Sequence, residues 1–314
     1  MNQSPKNIVK QLIYVVFISL TVPFLLSFFN SLHPLFDSYS HFRVHLLLIL
    51  LPTMLLLAFF HKTRNTLIYL FLVLLGSFYL YGINQPFVPQ KINKDKPHTL
   101  KHIQFNLNFR NQKMNSVISY LKKSNADVVT LQEVTTSHQD ALSQALSSTY
   151  PYQNYCKFYP VVGAVAILSK HPFNEKNSAC LEKRGLVWSQ ILVKDQAINI
   201  VSIHTLWPYP YGQPKQIQDI KPIFQQMKTP TLIAGDFNAV SWSHTVKEIE
   251  KASNTKAVEG MRWSINLENQ VPLIPNFKLA IDHVLLSKEF QVEEIFVEKS
   301  LGSDHLPVVS SIRY

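Results

Sequence analysis

Three long runs without a charge occupy the first ninety residues, at positions 12–29, 44–60 and 66–83. A helix needs about 20 mostly apolar residues to cross the hydrocarbon core of a bilayer. The runs sit at the short end of that range, and neighbours such as Ile8, Val9 and Phe42 lengthen them. Helices of this composition have no polar face to turn to water, so they belong inside a large core or inside a membrane. Three in a row with so little polar sequence between them favour the membrane. Pro23, Pro52 and Gly76 fall within the runs, which lipid-embedded helices tolerate. The first run ends in Ser27-Phe28-Phe29-Asn30, without the small-x-small pattern of a signal cleavage site. The expectation is three retained spans.

Charge sets the expected orientation. Lys6 and Lys10 precede the first span, Lys62 and Arg64 lie between the second and third, and the intervening loop offers Asp37 and, at its edge, Arg43. Positive charge stays on the cytoplasmic side, so three crossings leave the remainder of the chain outside. That predicts an integral membrane protein with an extracytoplasmic domain. Residues 84–98, rich in proline and carrying Lys91, Lys94 and Lys96, read as a tether whose lysines suit anionic headgroups.

From Thr99 the texture changes to alternating strand and helix signals. His102-Ile103-Gln104-Phe105-Asn106-Leu107 alternates as a half-buried strand does, and Asn106 and Asn108 come at its end. A helical stripe follows at Met114, Val117, Ile118 and Leu121. Asp127-Val128-Val129-Thr130-Leu131-Gln132-Glu133 reads as a buried strand ending in a carboxylate. Positions 136–147 read as a helix. Strands are expected at 152–158, 163–169, 186–193 and 197–203, the last delivering His204 to a loop with Trp207 and Tyr209. That aromatic loop suits a substrate wall or a membrane interface equally.

A helix at 214–227 leads to Thr231-Leu232-Ile233 and the turn Gly235-Asp236-Phe237-Asn238. Residues two apart in an extended segment face the same side. Asp236 and Asn238 therefore offer one acceptor-only carboxylate and one amide to the same pocket. Ser241 or Ser243 is placed to cap the next helix. In Ile281-Asp282-His283-Val284 the aspartate lies inside an apolar strand and needs a partner. His283 points to the opposite face and reads as packing. Gly302-Ser303-Asp304-His305 supplies a histidine and another carboxylate before the last strand.

The net charge of +10 splits as +4 on residues 1–90 and +6 on the rest. A mildly basic second half is compatible with an anionic substrate without demanding one, and no basic stripe with interleaved aromatics marks a nucleic-acid groove. Cys156 and Cys180 are the only cysteines; they fit one disulfide or two buried thiols.

Taken together, Asn106, the Leu-Gln-Glu-Val around Glu133, His204, Gly-Asp-Phe-Asn, Ile-Asp-His-Val and the final Gly-Ser-Asp-His resemble the endonuclease/exonuclease/phosphatase superfamily. The motifs keep the family's order over residues 99–314, behind a transmembrane region at 1–83 and a linker at 84–98, as in bacterial members with three amino-terminal spans. The resemblance implies an α/β fold, a four-layer sandwich of two mixed β-sheets flanked by helices. It implies Mg²⁺ or Mn²⁺, held by Glu133 with support from Asp304 and Asn106. Asn106 and Asn238 would hold phosphate oxygens or the attacking water, which Asp236 would orient. Asp282 would fix His305, and His204 would donate to the phosphate, with Asn108, Trp207 and Tyr209 contacting substrate. One departure stands out: the residues before Gly163-Ala164, Val161 and Val162, lack the glutamate that partners the histidine at the His204 position in pancreatic deoxyribonuclease.

The expected activity is therefore divalent-metal-dependent hydrolysis of phosphodiester bonds, nuclease-like, on nucleic acid. A lipid-directed phosphoesterase of sphingomyelinase or phosphoinositide type is the alternative, and a non-catalytic membrane-bound binding module is the third reading. The complete set of acids and histidines weighs against the last. The bilayer and a phosphodiester substrate are the partners implied, and no protein partner is inferable.

Overall fold

The computed structural model describes residues 5–60, 64–89, 93, 95–159, 162–194, 196–228, 230–268 and 277–314. Lys62, Lys91, Lys94 and Val161, used in the reading above, lie outside the described residues. The chain divides into two compact units, Met1–Pro86 with Pro208–Pro210, and Phe87–Trp207 with Tyr211–Tyr314.

The first unit is helical: α1 (Pro5–Leu26), a 3-10 turn Ser27–Phe29, α2 (Pro34–Ser40), α3 (Arg43–Phe60) and α4 (Arg64–Ile83). Two helical stretches, Lys6–Phe29 and Thr66–Ile83, are long and apolar enough to cross a membrane. The expected span at 44–60 differs. Its helix follows α2 at a bend of 66°, and the two together form a broken span or a re-entrant loop. At the end of α2, Ser40 Oγ donates to Asp37 O at 2.6 Å. Arg43, at the start of α3, is buried, donates to Ser27 Oγ at 2.9 Å and lies 4.3 Å over the Phe28 ring.

The second unit contains two six-stranded sheets. One has the order β13-β14-β1-β2-β4-β3, from β1 (Thr99–Asn106), β2 (Val128–Val134), β3 (Tyr152–Lys157), β4 (Ala164–Ser169), β13 (Gln291–Val297) and β14 (Val308–Arg313). The other has the order β5-β6-β7-β8-β12-β9, from β5 (Phe173–Leu181), β6 (Leu186–Val193), β7 (Gln196–His204), β8 (Thr231–Asp236), β9 (Thr255–Ala257) and β12 (Asp282–Ser287). A two-stranded ribbon, β10 (Ile265–Asn266) with β11 (Lys278–Leu279), completes the β-structure.

Each sheet has one parallel pair at its centre. β1 and β2 are joined through α5 (Met114–Ser124), and β7 and β8 through α7 (Gln213–Phe224). Such crossovers place a helix on the sheet face. Val117 and Leu121 of α5, with Leu142 and Leu146 of α6 (Thr136–Leu146), cover the outer face of the first sheet against Ile103, Phe105, Val129 and Leu131. Ile217, Ile220 and Phe224 of α7, with Val246 and Ile249 of α8 (His244–Ser253), cover the second against Val201, Ile203, Ile233 and Leu285. Ser243 caps α8, accepting from Val246 N at 3.1 Å. The sheets pack on each other through Leu100, Val128, Ile200, Leu232, Val284 and Ile312. The outcome is the four-layer α/β sandwich.

Cys156 of β3 and Cys180 of β5 form a disulfide, Cα to Cα 5.4 Å. It joins an edge strand of one sheet to an edge strand of the other. The segment before β1 lies against the sandwich: Phe87 packs on the inter-sheet core, Asn93 N donates to Gln291 Oε1 at 2.9 Å, and Arg313 Nη1 donates to Lys96 O at 3.0 Å.

Candidate active site

Both parallel pairs end at one edge of the sandwich, and the antiparallel strands beside them begin there. β1, β2, β7 and β8 deliver Asn106, Glu133, His204 and Asp236. β12 opens with Asp282, opposite Asp236 in the ladder, and β14 is preceded by Asp304 and His305. Crevices outside strand ends are where α/β sheets gather polar groups without burying them unpaired.

Asn106 Nδ2 donates to Glu133 Oε1 and to Asp236 Oδ2, each at 3.0 Å, and so bridges carboxylates from the two sheets. Its Oδ1 accepts from Asn108 N at 3.0 Å. Asn108 in turn donates from Nδ2 to Asp304 Oδ1 at 2.7 Å. Phe109 N donates to the second oxygen of Glu133 at 3.0 Å. Asp236 Oδ1 accepts from Asn238 N at 2.8 Å, while Asn238 Nδ2 reaches Thr205 O at 2.8 Å and His204 Nε2 at 3.3 Å.

Local backbone geometry aims these groups. Asn108, Glu133 and Asn238 all have positive φ, at 57°, 55° and 43°. Asn adopts this region readily, Glu seldom. Glu133 reaches it because the ladder between β2 and β4 shifts register between Leu131 and Val134. The opposing residue is Gly163, where an added Cβ would lie 2.6 Å from the Glu133 carbonyl carbon. Gly235 likewise allows β8 to lie close to β7, since a Cβ there would meet Ile203 O at 1.8 Å.

His204 Nε2 lies 3.5 Å from Asp236 Oδ2, and the imidazole meets the Phe158 ring edge-on at 5.7 Å between centroids. The expected unpaired histidine therefore faces Asp236 and Asn238. His305 places Nδ1 2.8 Å from Asp282 Oδ2 and Nε2 3.6 Å from Asp236 Oδ2. Asp282 also accepts from Gln104 Nε2 at 2.7 Å and Ser264 Oγ at 2.6 Å. Burial works against a charge on His305, yet Asp282 and Asp236 together push it up to about 10, so it is a cation at neutral pH. Burial would raise Asp282, but His305 and the three donors hold its carboxyl below the usual range. Asp236 goes the other way: burial and neighbouring Asp282 raise it against the pull of His305 and His204.

A buried carboxylate with a raised pKa suits either proton acceptance or relief by a cation. Among the described residues, Glu133, His204 and Asp236 converge most closely, each offering a ligand atom within 4.8 Å of the others. Oxygen-rich donors of this kind fit a hard divalent cation. The resemblance grouped Glu133 with Asn106 and Asp304. The structure puts Asn106 between Glu133 and Asp236, and ties Asp304 to Asn108 one step outward. Trp207 and Tyr209 lie on the loop after β7, Tyr209 about half exposed.

The sequence reading did not single out Gln104 and Ser264, which hold Asp282, or Ser303, whose Oγ donates to Asn106 O at 2.8 Å and accepts from His305 N at 3.0 Å. It also passed over Gln213, whose Nε2 donates to Thr205 Oγ1 at 2.9 Å and Phe237 O at 3.0 Å beneath the Asp236 turn. The one available signal was the alternation that sets Gln104 on the same strand face as Asn106.

No curated protein matches the chain by sequence. Solved structures match its fold. A humanized D. rerio TDP2 is 18% identical, with 69% of this chain and 99% of that chain covered and a TM-score of 0.54. An endonuclease/exonuclease/phosphatase family protein from Leptotrichia buccalis is 17% identical, with 68% and 100% covered and a TM-score of 0.55. A mutant beta toxin from Staphylococcus aureus with bound magnesium ions is 17% identical, with 68% and 99% covered and a TM-score of 0.52. The model of the endonuclease/exonuclease/phosphatase family matches residues 103–305, the span from β1 to His305 that carries this site, and the chain belongs to that family.

Proposed function

We propose that the protein is a membrane-anchored, Mg²⁺- or Mn²⁺-dependent phosphodiesterase of nuclease-like action. The observation that carries this reading is the convergence of Glu133, Asp236, Asn106, Asn238, His204 and His305 from the strand ends of both sheets. Glu133 would hold the cation, with Asn106 between it and Asp236 and Asp304 behind Asn108. The bound ion would offset charge building up on the phosphoryl oxygens.

The remaining steps belong to the protein's own groups. Asp236, its carboxyl raised by burial, orients the attacking water and takes its proton. Asn238 Nδ2 keeps one N–H on Thr205 O and, with substrate bound, turns its other from His204 Nε2 to a phosphoryl oxygen, to which His204 also donates. Asp282 keeps a proton on His305 Nδ1, so Nε2 faces the site, and the cationic ring stabilises the anionic phosphorane-like transition state. In this reading His305, anchored by Asp282, acts electrostatically, and Asp236, 3.6 Å from its Nε2, is the general base.

Two apolar helices long enough to span a bilayer support the anchor. The disulfide between Cys156 and Cys180 supports placing the domain outside the cytoplasm, where such bonds persist. The same helices favour one second reading, hydrolysis of a phospholipid headgroup held near the membrane surface.

The test uses the full chain in detergent micelles, supplied in parallel with supercoiled plasmid and with sphingomyelin or phosphoinositide in mixed micelles. We expect plasmid nicking with Mg²⁺, none with EDTA, and a loss of at least about a thousandfold for Glu133→Ala. Turnover of lipid alone would move the substrate to the second reading. Glu133→Ala turning over at the wild-type rate would remove the proposed metal site.

A further inference from the structure

Asp282 sits on β12 of one sheet, while one of its donors comes from the other. Gln104 lies on β1, is fully buried, and donates from Nε2 to Asp282 Oδ1 at 2.7 Å. His305 and Ser264 occupy Oδ2, at 2.8 and 2.6 Å. Gln104 is thus the only described side chain with a hydrogen bond to Oδ1. We propose that Gln104 is a positioning residue, fixing from across the sandwich the carboxylate plane of Asp282 and through it the ring of His305; this rests on the phosphodiesterase reading of the site.

Hydrogen-bond chemistry fixes the direction of the amide. An ionised carboxylate only accepts, so Nε2 must face Asp282 and Oε1 must face away. On that side Thr130 Oγ1 lies 3.5 Å from Oε1, and His102 Nε2 lies 3.0 Å from the same hydroxyl. Ser310 Oγ is 3.3 Å from His102 Nδ1. One proton assignment satisfies the run: Ser310 donates to His102, His102 to Thr130, Thr130 to Gln104, and Gln104 to Asp282. Donors aligned in series polarise one another. Ile103 O stands at the same 3.5 Å as a second acceptor for Thr130, so the proposal is carried by the 2.7 Å bond and the rest supports it.

Without Gln104, Oδ1 would be a buried acceptor lacking its donor. The carboxylate would turn to find another, and the bond to His305 Nδ1 would bend with it. Nε2, which faces Asp236 at 3.6 Å, would then swing away from the position the phosphate requires. Losses of this kind, through an outer partner of a catalytic group, are about tenfold or more.

The experiment replaces Gln104 by Leu, close in shape, in the full chain, with Gln104→Met as a second variant should the first not fold. The Nδ1–H proton of His305, assigned by its disappearance in His305→Gln, is followed by NMR without substrate. We expect it to move upfield and broaden in Gln104→Leu. In turnover, kcat should fall about tenfold with KM unchanged. The same substitution on an Asp282→Asn background should cost little more, because its effect runs through Asp282. An unmoved Nδ1–H resonance, or an equal tenfold loss on both backgrounds, would overturn the proposal. If the wild type hydrolyses no phosphodiester, the functional reading fails while the resonance still decides the positioning role.

Discussion

Gly163 stands against Glu133, the one of the three positive-φ site residues that is not an asparagine. Glu133 holds φ at 55°, and the Gly163 backbone, at φ 102°, comes close enough that a methyl would strike the Glu133 main chain. Gly163→Ala therefore combines an unfavourable φ with a clash on the residue that aims the Glu133 carboxylate. Gly212, at φ 79° with nothing within 4 Å of its Cβ position, isolates the first effect. Gly212→Ala should cost about 1 kcal/mol and leave Mn²⁺ affinity unchanged. Gly163→Ala should cost about 2–4 kcal/mol and weaken Mn²⁺ binding markedly. Denaturant midpoints and isothermal titration with Mn²⁺ give both quantities. Equal outcomes for the two variants would mean that the close approach does not aim Glu133. At this scale the site was largely legible: Asn106, Glu133, Asp236 and His305 stand in motifs whose order survives in the chain. Gln104, Ser264 and Ser303 did not show themselves, because a polar residue at an inward strand position does not reveal which group across the interior it meets.

Among the elements, the central strands and the edge strand β3 were readable, while the edge strands β5 and β13 were not. β4, β6 and β8 are buried almost throughout and appear in the sequence as apolar runs. β5 carries Glu175 and Lys176, is half exposed and shifts register between Asn174 and Ser178; β13 carries Glu293 and Glu294 and shifts between Val292 and Glu294. Charges and bulges protect edges from pairing with other chains, and the same features erase the strand signal. The two cysteines left both pairing options open in sequence because contact between β3 and β5 depends on how the sheets stack. The disulfide closes 24 residues of chain, a loop whose closure stabilises the folded state by about 3 kcal/mol. Mild reduction should lower stability by about that amount, and a Cys156→Ala/Cys180→Ala variant should lose as much and then be insensitive to reductant. Thiols that react with maleimide in unreduced, denatured protein would show that the bond is not formed.

Across the whole sandwich, the layer between the sheets grades from apolar to polar towards the site. β1 runs Leu100, His102, Gln104, Asn106; β2 runs Val128, Thr130, Gln132; β7 runs Ile198, Ile200, Ser202, His204. β8 passes through Leu232 and Ala234 to Asp236, and β12 reaches Asp282 from Leu286 and Val284. Alternation in the sequence marks these residues as inward, but the grading emerges only when five strands are laid side by side. Its middle holds a histidine that burial keeps neutral: His102, with Nε2 3.0 Å from Thr130 Oγ1, is lowered to about 3. On the outer face of the second sheet, burial and then Arg262 lower His283 to about 4, and its Nε2 donates to Ala239 O at 2.8 Å. Above pH 6.5 both histidines are neutral whether the chain is folded or not, and their neutral forms stabilise the fold fully. Below 6.5 the unfolded chain takes up protons that the folded one refuses. Stability is then lost as pH falls, by up to about 1.4 kcal/mol per pH unit for each histidine. The loss continues to about pH 4 for His283 and about pH 3 for His102. Carboxylates titrate in part of the same window, so the contribution of one histidine is read as a difference between proteins. Denaturant unfolding of the full chain in micelles, between pH 6 and 4.5, should give a shallower pH dependence for His102→Asn than for the wild type by about 1.4 kcal/mol per pH unit. The variant starts from a lower stability at pH 7, because the hydrogen bond to Thr130 is lost, but its slope is independent of that offset. Parallel slopes would mean that His102 is protonated in the folded protein; Nδ1 would then donate to Ser310 Oγ, while Nε2 would still donate to Thr130.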